Sequence, residues 1–74
     1  MKFLPNRLRE LRLMHKHSLT TACRMLEVRC GYRAGRTSFY NWEKGKTLPK
    51  INALLAICEL YGVEPAHFFD TKAS

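Results

Sequence analysis

The chain has 74 residues, enough for one small domain but too few for a second hydrophobic core or for a catalytic cleft walled on several sides. With 46% hydrophobic and 26% charged residues, it has the composition of a folded globular protein, which argues against a disordered chain. The net charge of +7 favours a negatively charged partner, and nucleic acid is the commonest of these. We therefore expect a binding module and not an enzyme.

The positive charge is concentrated in the first two thirds of the chain. Positions 1–50 carry twelve lysines and arginines and three acidic residues, a balance of +9. Positions 51–74 carry one lysine and three acidic residues, a balance of −2. The basic part is thus expected to face the partner, and the acidic part to face away from it.

The cysteines and the N-terminus indicate a cytoplasmic protein. Cys23 and Cys58 lie among apolar residues and are expected in the core, and with Cys30 they form an odd set without a short pair. A disulfide scaffold is therefore not expected, and a reducing compartment is. The segment MKFLPNRLRE lacks the apolar run of a signal peptide, and no stretch is apolar enough for a membrane span.

Two helices are predicted in the first part of the chain. The first covers positions 5–15, with apolar residues at helical spacing: Leu8, Leu11 and either Leu13 or Met14. Ser18 then precedes a second periodic run and is expected to cap a helix over positions 19–28. Positions 29–35 contain two glycines and are predicted to form a loop.

Three further helices are predicted after this loop. The third runs from Arg36 to Glu43 with Phe39 and Trp42 facing inward, and Gly45 ends it. The fourth covers the apolar positions 51–61 and ends at a glycine, and a short fifth helix begins at position 65 and carries two phenylalanines. We find no strand signal. The predicted fold class is all-α: a compact bundle of about five short helices forming one domain over 1–74, with its core at about 6–69.

The order of these features resembles a known family. RLRELR, SLTTACRML, SFYNWEKGK, the LP turn, INALLAICELYGV and EPAHFF together resemble the lambda-repressor-like, Cro-type helix-turn-helix domains. The resemblance covers positions 6–69 and places the helix-turn-helix motif at about 18–44. It implies that the third helix is the recognition helix and that Glu43 pairs with an arginine of the first helix, here Arg12.

One segment departs from the family pattern. About seven residues separate the family positions that match Val28 and Trp42, whereas this chain has thirteen. The turn therefore contains an insertion of about six residues, placed at 29–35. A longer loop costs little in closure entropy, but the angle between the two helices must then be fixed by packing.

The resemblance implies a set of DNA contacts. In this docking geometry the recognition helix lies in the major groove, with its first residues at base edges. Arg36 is expected to bind guanine, Asn41 adenine, and Thr37 a thymine methyl group or a phosphate. For each of them, the alternative is an ordinary solvated helix face.

Another set is expected at the phosphate backbone. It comprises Thr20, Thr21, Arg29, Arg33, Ser38, Tyr40, Lys44, Lys46 and Lys50. For the lysines the alternative is a solvated charge, and for Tyr40 a partial place in the core. The two loop arginines, with Tyr32, either add a flanking contact or belong to a loop that is merely basic.

The sequence pattern gives less support to a metal site, to catalysis or to a redox thiol. His15 and His17, combined with Cys23 or Cys30, lack the paired spacing of structural zinc sites, so no metal site is expected. No nucleophile, base and acid occur at suggestive spacing, and no cofactor or small-molecule ligand is expected. Cys30 is either a redox-active thiol or a small residue without such a role.

The end of the bundle offers a candidate dimer contact. Four residues either cover the core there or bind a second copy, as that end often does in the family: Tyr61, Val63, Phe68 and Phe69. A two-fold dimer would place two recognition helices one DNA turn apart on a palindromic operator.

We therefore expect a sequence-specific transcriptional regulator, a repressor of the phage, mobile-element or restriction-controller type, that binds double-stranded operator DNA as a homodimer. The alternative is a protein-interaction module on the same fold that binds a toxin, a nuclease or a larger repressor. RNA binding is a third possibility.

Overall fold

The computed structural model describes residues 2–70, and most of these residues lie in four α-helices. They are α1 (Pro5–Met14), α2 (Leu19–Cys30), α3 (Arg36–Lys44) and α4 (Ile51–Tyr61), followed by a 3₁₀ helix (Pro65–Phe68). The two strands are β1 (Lys2–Phe3) and β2 (Phe69–Asp70). The four main helices were all predicted, and the fifth is present as the 3₁₀ helix. No helix among the described residues is long and apolar enough to cross a membrane.

The strand pair joins the two ends of the described chain. β1 and β2 are antiparallel, with Lys2 opposite Asp70 and Phe3 opposite Phe69. The Phe3 ring packs against Phe68 and Phe69, with centroids 6.3 and 5.7 Å apart. The prediction of no strand was therefore wrong, and so was the place of Phe69 in a fifth helix. Strands of two residues are too short to show an alternating pattern, and this pair joins segments that are far apart in the sequence.

The second helix is longer than its pattern predicted. α2 continues to Cys30, and Gly31 ends it in the left-handed conformation with φ +69°. The Gly31 N–H donates to the Glu27 carbonyl oxygen at 3.0 Å, and the next N–H donates to the Leu26 carbonyl oxygen at 3.2 Å. The first of these bonds, from the left-handed glycine to the carbonyl four residues before it, is that of an αL cap. The predicted loop 29–35 is thus corrected: its first two residues are helical.

One core joins all four helices and the 3₁₀ helix. Its buried apolar residues are Leu8, Leu11, Ala22, Cys23, Leu26, Phe39, Trp42, Ala53, Leu54, Ala56, Ile57, Cys58, Tyr61 and Phe68. Cys23 and Cys58 are therefore core residues, as predicted. Leu13 and Met14 are exposed, so neither completes the buried face of α1. In the last turn of that helix, the inward position belongs to Arg12, whose side chain is almost fully buried.

The starts of α2 and α3 differ in their caps. Ser18 caps α2 as predicted, because its Oγ accepts a hydrogen bond from the Thr21 N–H at 3.1 Å. Gly35 begins α3 with nearly the same backbone angles, φ −81° and ψ 159°, but offers no side chain to accept such a bond. One N–H group of the first turn of α3 therefore lacks the side-chain acceptor that its counterpart in α2 has.

We expect Gly35→Ser to stabilise the domain and Gly31→Ser to destabilise it. At Gly35 a serine gains a capping oxygen and lowers the entropy of the unfolded chain, together worth about 1 kcal/mol. At Gly31, φ +69° costs a residue with a Cβ roughly 1 kcal/mol. A new Cβ meets no atom within 4 Å at either position, so the two variants differ in backbone conformation and not in crowding. Urea denaturation of both variants should give changes of opposite sign, and equal signs would contradict this account.

Candidate nucleic-acid interface

The first turns of α2 and α3 lie side by side. The guanidinium Nη1 of Arg36 donates to Thr20 Oγ1 at 3.4 Å. A shallow surface groove next to this contact is lined by Leu19, Arg36, Thr37 and Tyr40. The structure thus brings together four of the residues predicted to contact DNA, and Leu19 provides an apolar floor between them.

The α3 helix has one buried face and one polar face, as predicted. Phe39, Trp42 and Glu43 are buried. The residues on the exposed side are Arg36, Thr37, Ser38, Tyr40 and Lys44, while Asn41 is partly buried. The buried face fixes the helix to the core, so the polar face has a defined direction.

Tyr40 belongs to the exposed face and not to the core. Its ring is exposed, and the Lys44 ammonium lies 5.5 Å from the ring centroid, within the range of a cation–π contact. Lys46 and Lys50 follow in the segment after α3 and are exposed as well. Three lysines therefore lie on or directly after the C-terminal end of α3.

Arg29 and Arg33 lie at the opposite end of α2 from the groove. Arg29 is in the last turn of α2, about 14 Å along the helix axis from Thr20 at 1.5 Å per residue. The Nε of Arg33 lies 3.8 Å from Glu27 Oε2 in an exposed ion pair, with side chains 88% and 55% exposed. The structure therefore places Arg29 away from the first turn of α2 and pairs Arg33 with Glu27.

A buried ion pair fixes α3 against α1. Arg12 donates from Nε to Glu43 Oε2 at 2.6 Å and from Nη2 to Glu43 Oε1 at 3.0 Å. Its third bond goes from Nη1 to the His17 carbonyl oxygen at 3.0 Å. The side chains of Arg12 and Glu43 are only 11% and 3% exposed. The predicted pairing is confirmed, and the hydrogen bond to Glu43 raises the pKa of Arg12 above its ordinary value.

This pair connects α3 to parts of the chain outside the segment between α2 and α3. One guanidinium links α1, the segment just before α2 and the end of α3, so both helices are tied to the same side chain. A bidentate arginine–carboxylate pair restricts direction as well as distance. These contacts restrict the direction of α3 relative to α1 and to the segment before α2.

The two histidines before α2 pack on Tyr61. His17 Nδ1 and Tyr61 Oη are 3.2 Å apart in a hydrogen bond, and the rings of His15 and Tyr61 have centroids 4.8 Å apart. Burial raises the pKa of Tyr61 to about 12, so its hydroxyl stays protonated. No group of three or more potential ligands within positions 2–70 is arranged to hold a metal ion. The sequence pattern drew attention to these histidines as metal ligands and did not reveal their contact with Tyr61.

We expect protonation of His17 to lower the stability of the domain in mild acid. Burial, followed by the positive charges of His15 and Arg29, lowers the pKa of His17 below its ordinary value. The unfolded chain therefore binds a proton more readily than the folded one. Stability is full above the ordinary histidine pKa and falls as the pH drops through it towards the lower pKa of the folded state.

Urea denaturation at neutral and mildly acidic pH measures this effect. His17→Gln should reduce the loss of unfolding free energy on acidification. Lys16→Gln removes a cation from the adjacent exposed position and should keep the pH dependence of the parent chain. An unchanged pH dependence in His17→Gln would contradict the assignment.

The cysteine thiols are held in their protonated form. Burial raises the pKa of Cys23, Cys30 and Cys58. Cys30 Sγ also donates to the Ala56 carbonyl oxygen at 3.4 Å, which ties the end of α2 to α4. Because a thiolate is the reactive form, this environment favours a packing role for Cys30 over a redox role.

The proposed dimer residues divide into two groups. Tyr61 and Phe68 are 6% and 0% exposed and fill the core of a single chain, so they leave almost no surface for a partner. Val63 and Phe69 are partly exposed and pack on the edge of the core. Of these four residues, only Val63 and Phe69 retain exposed surface for a contact with a second copy.

In comparisons with protein-family models, with curated proteins and with solved structures, nothing matches this chain.

Proposed function

We propose that this chain is a DNA-binding protein of the lambda-repressor-like, Cro-type helix-turn-helix class, with α2 and α3 as the two helices of its motif. The order of the helices, the Ser18 cap of α2 and the pair of Arg12 with Glu43 support this proposal. These features agree with the family pattern despite the lengthened turn.

The division of α3 into two faces is the observation that carries the proposal. Its polar face presents Arg36 and Thr37 in the first turn, where a helix that enters the major groove has its base contacts. One N–H group of Arg36 donates to Thr20, and the guanidinium group retains further donors for guanine O6 and N7. Asn41 is proposed to bind adenine from the last part of the helix.

The backbone contacts are proposed on both sides of α3. At the start of α2, the hydroxyls of Thr20 and Thr21 lie at the positive end of the helix dipole, which favours a phosphate. Beyond the end of α3, the exposed Lys46 and Lys50 are proposed to neutralise further phosphates. In this proposal, sequence is read at the centre of the surface and non-specific attraction acts at its edges.

The biological role follows from this class of protein. We propose a cytoplasmic transcriptional regulator without catalytic activity or a cofactor, which represses by occupying a palindromic operator as a homodimer. Phages, mobile elements and restriction-modification systems use small repressors of this class.

Selection of binding sites from a random double-stranded DNA pool tests the proposal. We expect a palindromic consensus, with an affinity at least about 1,000-fold above that for unrelated DNA. A salt titration on the selected site should show a steep linear fall of log affinity with log salt concentration. The same steep salt dependence without any consensus would contradict sequence-specific regulation, and a preference for double-stranded RNA competitor would favour the RNA alternative.

A protein-interaction module remains the second candidate. The exposed apolar side chains of α4 favour it, because contiguous apolar surface marks contact sites. Absence of DNA binding even at low salt, with the fold intact by circular dichroism, would favour this candidate over the first.

A further inference from the structure

The outer side of α4 carries an apolar stripe. Ile51 is 64% exposed and Leu55 is 50% exposed, and Leu48 in the preceding turn is 66% exposed. Positions 51, 55 and 59 are spaced four apart and lie on one side of the helix. The opposite side of α4 packs into the core, so these side chains are left on the surface by the fold itself.

The two ends of this stripe carry opposite charges. Lys50 lies just before α4 as its N-terminal capping residue, and Glu59 lies at the other end of the stripe, where it is exposed. Leu55 lies midway between positions 51 and 59. A two-fold axis near Leu55 therefore superimposes the basic end of one copy on the acidic end of another.

We propose that a second copy of this chain binds here, with the two α4 helices antiparallel. Leu55 then packs against its own counterpart at the axis, and Glu59 of each copy faces Lys50 and the positive N-terminal end of α4 in the other. A two-fold contact uses one surface twice, so each attraction occurs two times. The stripe is self-complementary in both apolar surface and charge.

A groove beside the stripe provides room for the side chains of the second copy. It is lined by Tyr32, Asn52, Ala56 and Glu59, with Cys30, Gly31 and Leu55. Tyr32 comes from the segment that follows α2, so the insertion forms part of this surface. An interface of one short helix and its border is small, and small interfaces belong to weak, reversible complexes.

This proposal rests on the proposed function for the homodimer and assigns that homodimer a contact surface, at whose border Lys50 lies. It replaces the expectation from the sequence that residues at the 3₁₀ helix form the dimer contact, two of which are buried in the single chain. Its tests are made without DNA: loss of the contact at α4 would remove this dimer surface, whereas DNA binding by α2 and α3 is decided separately by the site selection.

Sedimentation equilibrium over two decades of micromolar concentration tests the apolar part. The parent chain should associate reversibly to a dimer, and Leu55→Lys should remain a monomer because it places two like charges at the axis. Leu13→Lys is the matched control, since Leu13 is 48% exposed on α1 and the substitution is identical. It should dimerise like the parent, and circular dichroism should show that both variants keep the fold.

A charge exchange tests the orientation. Lys50→Glu and Glu59→Lys should each weaken self-association about tenfold, because each turns two attractions into repulsions. An equimolar mixture of the two variants should recover dimerisation, since each then meets the opposite charge in the other. Only an antiparallel contact between these two positions predicts recovery in the mixture.

Three results would overturn the proposal. The first is a parent chain that stays monomeric over the whole concentration range. The second is dimerisation of Leu55→Lys equal to that of Leu13→Lys. The third is loss of dimerisation in Phe69→Ala with the mixture of charge variants showing no recovery, which would place the contact at the strand end of the molecule.

Discussion

Glu43→Ala is expected to lower the free energy of unfolding by about 3 kcal/mol, the lower end of the range for breaking a buried ion pair. The substitution leaves the Arg12 guanidinium in a site that is only 11% exposed and removes two of its three hydrogen bonds. A domain of 74 residues has roughly 4–11 kcal/mol of stability in all. The variant should therefore be partly unfolded or melt at a much lower temperature.

A second glutamate provides the matched control. Glu27 pairs with Arg33 at 3.8 Å, but both side chains are mostly exposed, so Glu27→Ala should change stability by less than about 0.5 kcal/mol. Urea denaturation followed by circular dichroism measures both variants. Similar losses for the two would show that burial does not distinguish the pairs.

Replacement of both charged residues distinguishes the cost of an unpaired buried charge from the loss of the attraction between the two residues. In Arg12→Met with Glu43→Leu, no charge is left unpaired, and much of the stability lost in Glu43→Ala should return. The double variant does lose the bond to the His17 carbonyl oxygen, so its recovery should be incomplete. A double variant less stable than Glu43→Ala would contradict an unpaired buried charge as the main cost.

Arg36→Ala is expected to weaken binding to the selected DNA site by about 1–3 kcal/mol, or about 5- to 150-fold. The loss should be confined to specific DNA and should relax the preference at one base position, because a bidentate contact to guanine is removed. Arg36 is exposed and belongs to the first turn of α3, so the fold should be unaffected.

One lysine variant and one arginine variant serve as controls for the loss of charge alone. Lys46→Ala should weaken specific and non-specific binding alike and reduce the salt slope by about 1, as expected for a phosphate contact. Arg9→Ala removes the same charge as Arg36→Ala from an exposed position on α1 and should leave base preference unchanged. A uniform loss in Arg36→Ala, equal on all sequences, would make it a phosphate contact and would contradict its reading of a base.

The helices and most of their ends were predictable because their causes are local, although the pattern ended α2 two residues early. Leu8 with Leu11, and Phe39 with Trp42, show three-residue spacing, and Ser18 and Gly45 provide a cap and a stop within one turn of the helix they limit. These signals act between residues close in sequence, so a single chain displays them without an alignment. The polar face of α3 follows from the same periodicity once its buried residues are known.

The tertiary structure decided the features that join distant segments. The strand pair brings Phe3 to Phe69, and the hydrogen bond of His17 to Tyr61 spans 44 positions. Neither contact leaves a periodic trace, because each depends on where the packed helices place their ends. The sequence pattern drew attention to the histidines for a different reason, as candidate metal ligands.

The polar face of α3 and the apolar stripe of α4 show the same division between local and tertiary causes. The sequence was enough to predict that a basic, partly aromatic helix turns Arg36 and Thr37 outward, since Phe39 and Trp42 must be buried. It could not determine that Leu55 would stay on the surface, because an apolar residue in a strongly apolar helix has the same local pattern whether or not another element covers it. Only the packing of α4 against α2 decided which side of that helix remained exposed.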